Sequence, residues 1–156
     1  MNFTLLTVGK TDVPWVKDGL DLYMSRLKHY APFTLQEIPE LKKASALTRE
    51  QIKEKEGALI LSALRQGTRL ILLDERGKEM RSLEFSAYIE KLLSGGRDVT
   101  FAVGGAYGFS EEVYERADSM ISLSKMTFSH QMVRTVFAEQ LYRAFTIIKG
   151  EPYHHE

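Results

Sequence analysis

Short apolar runs and amphipathic segments alternate along the whole chain, and this alternation is the strongest constraint on its fold. Five runs have the length and the flanking turn residues of buried strands, namely 3–8, 33–38, 69–73, 98–103 and 120–123. Apolar residues recur at helical spacing between these runs, and strands separated by helices pair in parallel. We therefore predict a single α/β domain over 1–156, with a mainly parallel sheet flanked by helices.

Capping residues mark several helix boundaries. The first helix is expected from Asp12 or Pro14 to about Tyr30. The sequence from Thr48 to Gln51 has the form of a capping box. In the helix that follows, the buried face is expected to contain Ile52, Leu59 and Ala63. Two shorter helices are expected, over about 83–93 and after Ser110.

The last helix has an apolar arc that is too wide for one neighbour. Ser129 is the expected N-cap and Gly150 the expected stop, which predicts a helix over about 130–149. At 100° per residue, its apolar residues cover roughly 200°. They are Met132, Val133, Val136, Phe137, Leu141, Ala144, Phe145, Ile147 and Ile148. The arc is expected to face the sheet and also a second element or a second subunit. Arg143 falls inside it, either in a functional role or as an i,i+4 partner of Glu139.

Composition excludes several classes of site. The chain has no cysteine, which excludes thiolate metal sites, cysteine nucleophiles and disulfides. Histidines and acids lack metal-binding spacings, so we expect no metal. Neither a signal peptide nor a membrane span is evident, which favours a cytoplasmic protein without a membrane partner. Lys plus Arg and Asp plus Glu both number 21. A neutral protein that acts on RNA must gather its basic side chains on one patch or recognise a preformed shape.

Three predicted strands end in unusual loops, at 73–77, 104–108 and 123–128. Ligands of parallel sheets bind outside the carboxyl ends of the strands. The glycines from Gly104 to Gly108 would let a ligand approach the backbone, and the loop precedes a helix N-terminus, which favours a nucleotide-like ligand. A plain tight turn is the other interpretation. A dinucleotide fingerprint is rejected because the glycines read G-G-x-x-G where G-x-G-x-x-G is required.

Five motifs occur in order in the second half of the chain. They are Leu-Asp-x-x-Gly-Lys from Leu73, Gly-Gly-x-x-Gly from Gly104, Ser-Leu-Ser-Lys-Met-Thr-Phe-x-His-Gln-x-x-Arg from Ser122, Glu-Gln-x-Tyr-Arg-Ala from Glu139, and Pro-Tyr-His from Pro152. In this order they resemble the SPOUT-class methyltransferases that modify a pseudouridine of large-subunit ribosomal RNA.

The resemblance implies a fold, a cofactor and a substrate. The fold would contain a C-terminal trefoil knot over roughly 70–150, whose loops form an S-adenosylmethionine pocket. The implied cofactor-binding residues are Leu73, Gly104, Leu123, Ser124, Lys125, Met126, Thr127 and Phe128. The enzyme would be a homodimer with its site between subunits, and it would methylate N3 of a pseudouridine in 23S ribosomal RNA on assembled ribosomes.

The resemblance also implies residues that face the RNA nucleotide. His130 and His154 are candidate general bases, and Arg143 is a candidate for stabilising the ionised base. The expected substrate-binding residues are Arg134, Tyr142, Tyr153 and His155. Members of the family usually carry Lys or Arg where His155 stands, so a fixed positive charge becomes dependent on pH here.

Two other functions fit parts of the sequence. A catalytically silent RNA-binding module of the same fold would bind no cofactor. An unrelated α/β nucleotide-binding protein would bind ATP or NAD at the Gly104 loop but not S-adenosylmethionine.

Overall fold

The computed structural model describes residues 1–155 and contains a five-stranded sheet in which every neighbouring pair is parallel. The strands are β1 (Phe3–Val8), β2 (Phe33–Ile38), β3 (Arg69–Glu79), β4 (Val99–Val103) and β5 (Ser119–Ser122). Their order across the sheet is β2-β1-β4-β3-β5. The predicted α/β class is confirmed, and the sheet is parallel throughout.

Five α-helices cover the two faces of the sheet. They are α1 (Pro14–Leu27), α2 (Arg49–Ala63), α3 (Ser82–Gly95), α4 (Glu111–Arg116) and α5 (Met132–Ile148), with a short 3-10 turn at Ala44–Ala46. One core cluster joins α1, α3 and α5 to one face, and a second joins α2 and α4 to the other. The remaining helix and strand boundaries differ from the predicted ones by a few residues.

The final helix starts later than predicted, at Met132. Ser129 nevertheless satisfies its first turn, because its Oγ accepts a hydrogen bond from the Met132 amide at 3.0 Å. Gly150 ends the helix with φ +70°, as expected. Most of the wide apolar arc is covered within one chain, since α5 contacts α1 and α3 as well as the sheet.

The strand β3 is longer than predicted because it resumes after a bulge. It pairs with β5 up to Leu73, shifts register, and pairs again from Lys78. The bulge projects Asp74 to Gly77 from the carboxyl edge of the sheet. A Cβ on Gly77 would lie 2.6 Å from the backbone of Ile121, so only glycine fits where the bulge returns to β5.

The capping box of α2 is confirmed, but its predicted buried face is wrong. Thr48 and Gln51 make both bonds of the box. Leu59 is 36% exposed, whereas Gly57 and Ile60 are buried. The difference arises because the small Gly57 lets α2 approach Ser110 at the start of α4. No helix within residues 1–155 is long and apolar enough to cross a membrane.

Candidate functional site

The three predicted loops meet in one large cleft at the carboxyl edge of β3, β4 and β5. Its volume is about 1550 Å³, and its walls include the loops after these strands and the first turns of α2. Seven of the eight predicted cofactor-binding residues line it, namely Leu73, Gly104, Leu123, Ser124, Met126, Thr127 and Phe128. Lys125 does not, because its side chain is exposed and its Nζ lies 3.8 Å from Glu79.

The loop that follows β5 is shaped by its own serines. The Ser122 hydroxyl donates to the Ser124 carbonyl at 2.9 Å, and the Met126 amide donates to Ser124 Oγ at 3.0 Å. Met126 is 79% exposed and Phe128 is also exposed. Two large apolar side chains are therefore held at the mouth of the cleft, where a ligand could bury them.

The glycine loop is both a tight turn and a wall of the cleft. The Gly108 amide donates to the Gly105 carbonyl at 3.1 Å. A Cβ on Gly104 would lie 3.3 Å from the Gly108 backbone, so the turn itself already disfavours a side chain there. The tight turn is therefore observed, and the close approach of a ligand to this backbone stays a prediction.

A polar cluster of Asp74, Arg76 and Tyr114 fixes the bulge of β3, and it was not predicted from the sequence. The Tyr114 hydroxyl donates to Asp74 at 2.5 Å, and the Arg76 amide donates to the same carboxylate at 2.9 Å. The Arg76 guanidinium lies 4.6 Å from the centre of the Tyr114 ring. Burial would raise the pKa of Asp74, but these hydrogen bonds outweigh it and lower the pKa. Burial, together with the Asp74 carboxylate, raises the pKa of Tyr114 to about 12.

Acidic side chains outnumber basic ones along the cleft. The acids are Glu50, Glu54, Asp74, Glu75, Glu111 and Glu112, and the fixed cations are Arg49, Lys53 and Arg76. Six carboxylates against three cations favour a ligand with positive charge over one with several phosphates. Residues 1–155 contain no group of His, Asp and Glu side chains suited to a metal ion.

Glu56 lies behind the glycine loop, and its Oε1 is buried without a hydrogen-bond partner among the described residues. Its carboxylate packs against Gly105. Burial, and then the neighbouring charge of Glu40, raises the pKa of Glu56. An acid whose pKa is higher in the folded state binds more protons there, so its contribution to stability decreases as pH rises through that pKa.

We expect Glu56→Gln to raise the melting temperature at about pH 7.5 and to change it little at about pH 3.5. Glutamine keeps the shape of the side chain and removes the buried charge, which is present only at the higher pH. Thermal melts of both proteins at the two pH values test this, with the exposed Lys55→Gln as control. An equal effect of Glu56→Gln at both pH values would contradict it.

His130 lines the same cleft from the segment just before α5. Its side chain is half-buried, and its Nδ1 is shielded from solvent with no hydrogen-bond partner in the described part of the chain. A sheltered ring nitrogen without a protein partner can accept a proton or a hydrogen bond from a ligand.

Arg134 lies inside the protein, and its predicted contact with RNA is wrong for this structure. Its side chain is 0% exposed. The guanidinium donates to the carbonyls of Val8 and Gly9 at 3.0 Å each and to Thr11 Oγ1 at 2.8 Å, and Nε donates to the His130 carbonyl at 2.9 Å. Arg134 therefore joins the start of α5 to the carboxyl end of β1.

The other predicted substrate residues form a second cluster at the far end of α5. Arg143 donates to Glu139 at 2.5 Å, lies 3.0 Å from His154 Nδ1, and stacks 4.9 Å from the centre of the Tyr153 ring. The rings of Tyr142 and Tyr153 are 4.7 Å apart, edge to face. The hydrogen bond to Glu139 raises the pKa of Arg143. His155 is exposed and outside the cluster.

The C-terminal tail is anchored and not frayed as far as His154. The Tyr30 hydroxyl donates to Glu151 at 2.7 Å, and the Glu151 amide donates to the Thr146 carbonyl at 2.9 Å. Burial and the bond to Glu151 raise the pKa of Tyr30 to about 12. Tyr23 completes the cluster, its hydroxyl 3.4 Å from that of Tyr153. The sequence gave no signal for the position of Tyr23 beside the tail.

An apolar groove of about 340 Å³ lies on the surface along α1 and α5. It is lined by Trp15, Tyr23, Met132, Thr135, Val136, Glu139 and Gln140. Trp15 is 62% exposed and Met132 is 43% exposed. Part of the predicted apolar arc of α5 is therefore uncovered.

Comparison with known proteins gives a consistent result over the full length. The family model described as "Predicted SPOUT methyltransferase" matches residues 1–154. Proteins called ribosomal RNA large subunit methyltransferase H are similar to this chain in Parabacteroides distasonis (52% identity, covering 100% of both chains) and Christiangramia forsetii (54% identity, covering 99% of both). The protein of that name in Bacteroides fragilis is 52% identical and also covers 100% of both chains. Together with the parallel sheet and the loop-lined cleft, the match over nearly every residue means that the chain belongs to the SPOUT methyltransferase family.

Proposed function

We propose that this protein is an S-adenosylmethionine-dependent methyltransferase that methylates N3 of a pseudouridine in 23S ribosomal RNA. The observation that carries the proposal is the identity of 52–54% over the full length with proteins called ribosomal RNA large subunit methyltransferase H. The motifs that begin at Ser122, Glu139 and Pro152, before, within and after α5, are all present in this chain. A catalytically silent module is not favoured, because the cleft and the tail cluster are both intact.

The cleft has features that suit S-adenosylmethionine. Its excess of carboxylates complements a sulfonium cation. The exposed Met126 and Phe128 offer apolar surface for a purine and a thioether-like chain. The residues that would hold the cofactor are Leu73, Gly104, Leu123, Ser124, Met126, Thr127 and Phe128. When bound, S-adenosylmethionine supplies an electrophilic methyl group.

The protein would position the nucleotide base and accept the proton that its N3 atom loses. N3 of an imide ring must lose its proton to become a nucleophile. His130 offers a sheltered ring nitrogen at the cleft. Arg143 would stabilise the ionised ring, and Tyr153 would stack on it. Arg143 is already held in place by Glu139 and His154.

The cleft and the tail cluster are far apart in one chain, which supports a site shared between two subunits. Eleven residues of helix separate Met132 from Arg143, a length of about 17 Å. The tail cluster of one chain therefore cannot reach its own cleft. A homodimer can solve this problem if each subunit supplies one half of the site.

The apolar groove suggests how two copies would meet. Suppose that the α5 helices of two subunits pack antiparallel across a twofold axis near Val136. The residue six positions before Val136 in one subunit then faces the residue six positions after Val136 in the other. Those residues are His130 and Tyr142. The cleft of one subunit would then face the partner subunit's Arg143 and Tyr153. This arrangement also covers Trp15 and Met132.

Substrate and location follow from the same proposal. A neutral protein gains little from bulk attraction to RNA, so we infer that it recognises the shape of the assembled ribosome and works in the cytoplasm. The C-terminal knot over about 70–150 also belongs to this proposal.

We expect Val136→Glu to convert a dimer into folded monomers and to abolish methyl transfer. Val136 is half-buried in the groove, so a charge there opposes association more than folding. Phe137→Glu should instead unfold the chain, because Phe137 is 0% exposed and the centre of its ring lies 4.7 Å from that of Phe101. Sedimentation and circular dichroism separate these outcomes, with Val136→Thr as the matched control. A wild type that sediments as a monomer at micromolar concentration would contradict the shared site.

Titration calorimetry with S-adenosylmethionine, ATP and NAD tests the cofactor. We expect heat of binding only with S-adenosylmethionine. Binding of none of the three would favour the silent RNA-binding module, and binding of ATP or NAD alone would favour an unrelated nucleotide-binding function.

A further inference from the structure

Arg26, in the last turn of α1, is held over the aromatic cluster of the tail. Its guanidinium carbon lies 5.5 Å from the centre of the Tyr142 ring and 5.6 Å from that of Tyr23. Both distances are within the range of cation–π attraction. The side chain is half-buried, so the rings restrict its position before any ligand arrives.

The donors of Arg26 are unused within the described chain. Among residues 1–155, no carboxylate forms an ion pair with it, and its side chain makes no hydrogen bond. Two acids of the tail cluster already have partners, since Glu139 accepts from Arg143 and Glu151 accepts from Tyr30. A guanidinium therefore remains with several free N–H groups and a full charge.

This combination is typical of an anion site. A planar guanidinium presents paired donors that match a phosphate, and a position fixed by stacking lowers the entropy lost on binding. The neighbouring rings of Tyr142 and Tyr153 are suited to a nucleotide base. A phosphate adjoining a base stacked on these rings would lie within reach of Arg26.

The tail itself supplies no fixed cation for this purpose. His155 is exposed and is the last described residue of the tail, and a histidine does not supply a fixed charge as an arginine does. Arginine, in contrast to histidine, supplies a fixed positive charge.

We propose that Arg26 binds a backbone phosphate of the ribosomal RNA next to the target nucleotide. The inference rests on the proposed function, because it takes the tail cluster to face RNA. It adds a substrate-binding residue from α1, outside the motifs of α5 and the tail.

Salt dependence of ribosome binding tests this proposal. Each phosphate contact contributes about 1 to the slope of log affinity against log salt. For Arg26→Gln we expect that slope to fall by about 1 and affinity for ribosomes that lack the methyl group to fall about tenfold or more. Arg26→Lys should keep the slope and lose part of the affinity, because it keeps the charge but not the paired donors. The exposed neighbouring cation Lys28, changed to Gln, is the control.

Cosedimentation with ribosomes between about 50 and 200 mM salt gives these values without any chemistry. Thermal melts and S-adenosylmethionine titration of each variant show whether the fold and the cleft are intact. The proposal would be overturned by an Arg26→Gln protein that keeps the wild-type affinity and slope, whether or not its melting temperature falls. Arg26 would then only pack against the tyrosine rings. Failure of the wild type to transfer a methyl group would instead overturn the proposed function.

Discussion

Removal of residues 151–156 is expected to reduce methyl transfer by at least about 100-fold while S-adenosylmethionine affinity stays near that of the wild type. The tail places Tyr153 against Tyr142 and His154 against Arg143, and none of its residues from 151 to 155 lines the cleft. We expect a small fall in melting temperature, because Tyr153 is half-buried. Transfer from labelled S-adenosylmethionine to ribosomes measures the first effect, and calorimetry measures the second.

Glu151→Gln is the matched control for this truncation. It alters the anchor to Tyr30 but keeps every residue that contacts Arg143. We expect it to retain most of the activity. A truncated protein that methylates ribosomes at the wild-type rate would show that the anchored tail has no role in catalysis.

Replacement of Arg134 by Met is expected to lower the free energy of unfolding by about 3–5 kcal/mol. The change removes the Arg134 donor from the buried carbonyls of Val8 and Gly9 and so breaks the hydrogen bonds that join α5 to the end of β1. For a domain of this size such a loss lowers the melting temperature by roughly 6–20 °C. Calorimetric or circular dichroism melts provide the measurement.

Arg97→Met serves as the control, because Arg97 is exposed and donates only to the Gly67 carbonyl, at 3.2 Å. It should change the melting temperature little. If Arg134→Met melted like the wild type and lost only affinity for ribosomes, the RNA-binding role predicted from the sequence would be restored.

The fold class could be predicted because each local signal agreed with the others. Apolar runs of strand length, helical periodicities and the Thr48 capping box all favour the same alternation, which the sheet confirms. The failures have local causes. Leu59 was placed on the buried face by its apolarity, but the close approach of α2 to Ser110 depends on Gly57, which periodicity cannot detect. The return of β3 after the bulge depends on backbone pairing with β5.

Some parts of the candidate site could likewise be predicted from the sequence, and others could not. Loops after parallel strands were expected to converge, and seven of the eight residues do line one cleft. Arg134 was assigned to RNA by the family resemblance alone, and its bonds to the end of β1 join residues more than 120 positions apart. The same limit applies to Arg26, Tyr114 and Glu56, whose roles depend on contacts between distant segments. Sequence spacing carries no information about such contacts.

Mass mapping of 23S ribosomal RNA tests the central claim most directly. Ribosomes that lack the modification would be incubated with the protein and isotopically labelled S-adenosylmethionine, and the RNA would be digested and analysed nucleotide by nucleotide. The proposed function predicts one labelled methyl group on N3 of one pseudouridine, with little transfer to an isolated hairpin of the same sequence. Label on any other nucleotide, or none in 23S ribosomal RNA, would contradict it.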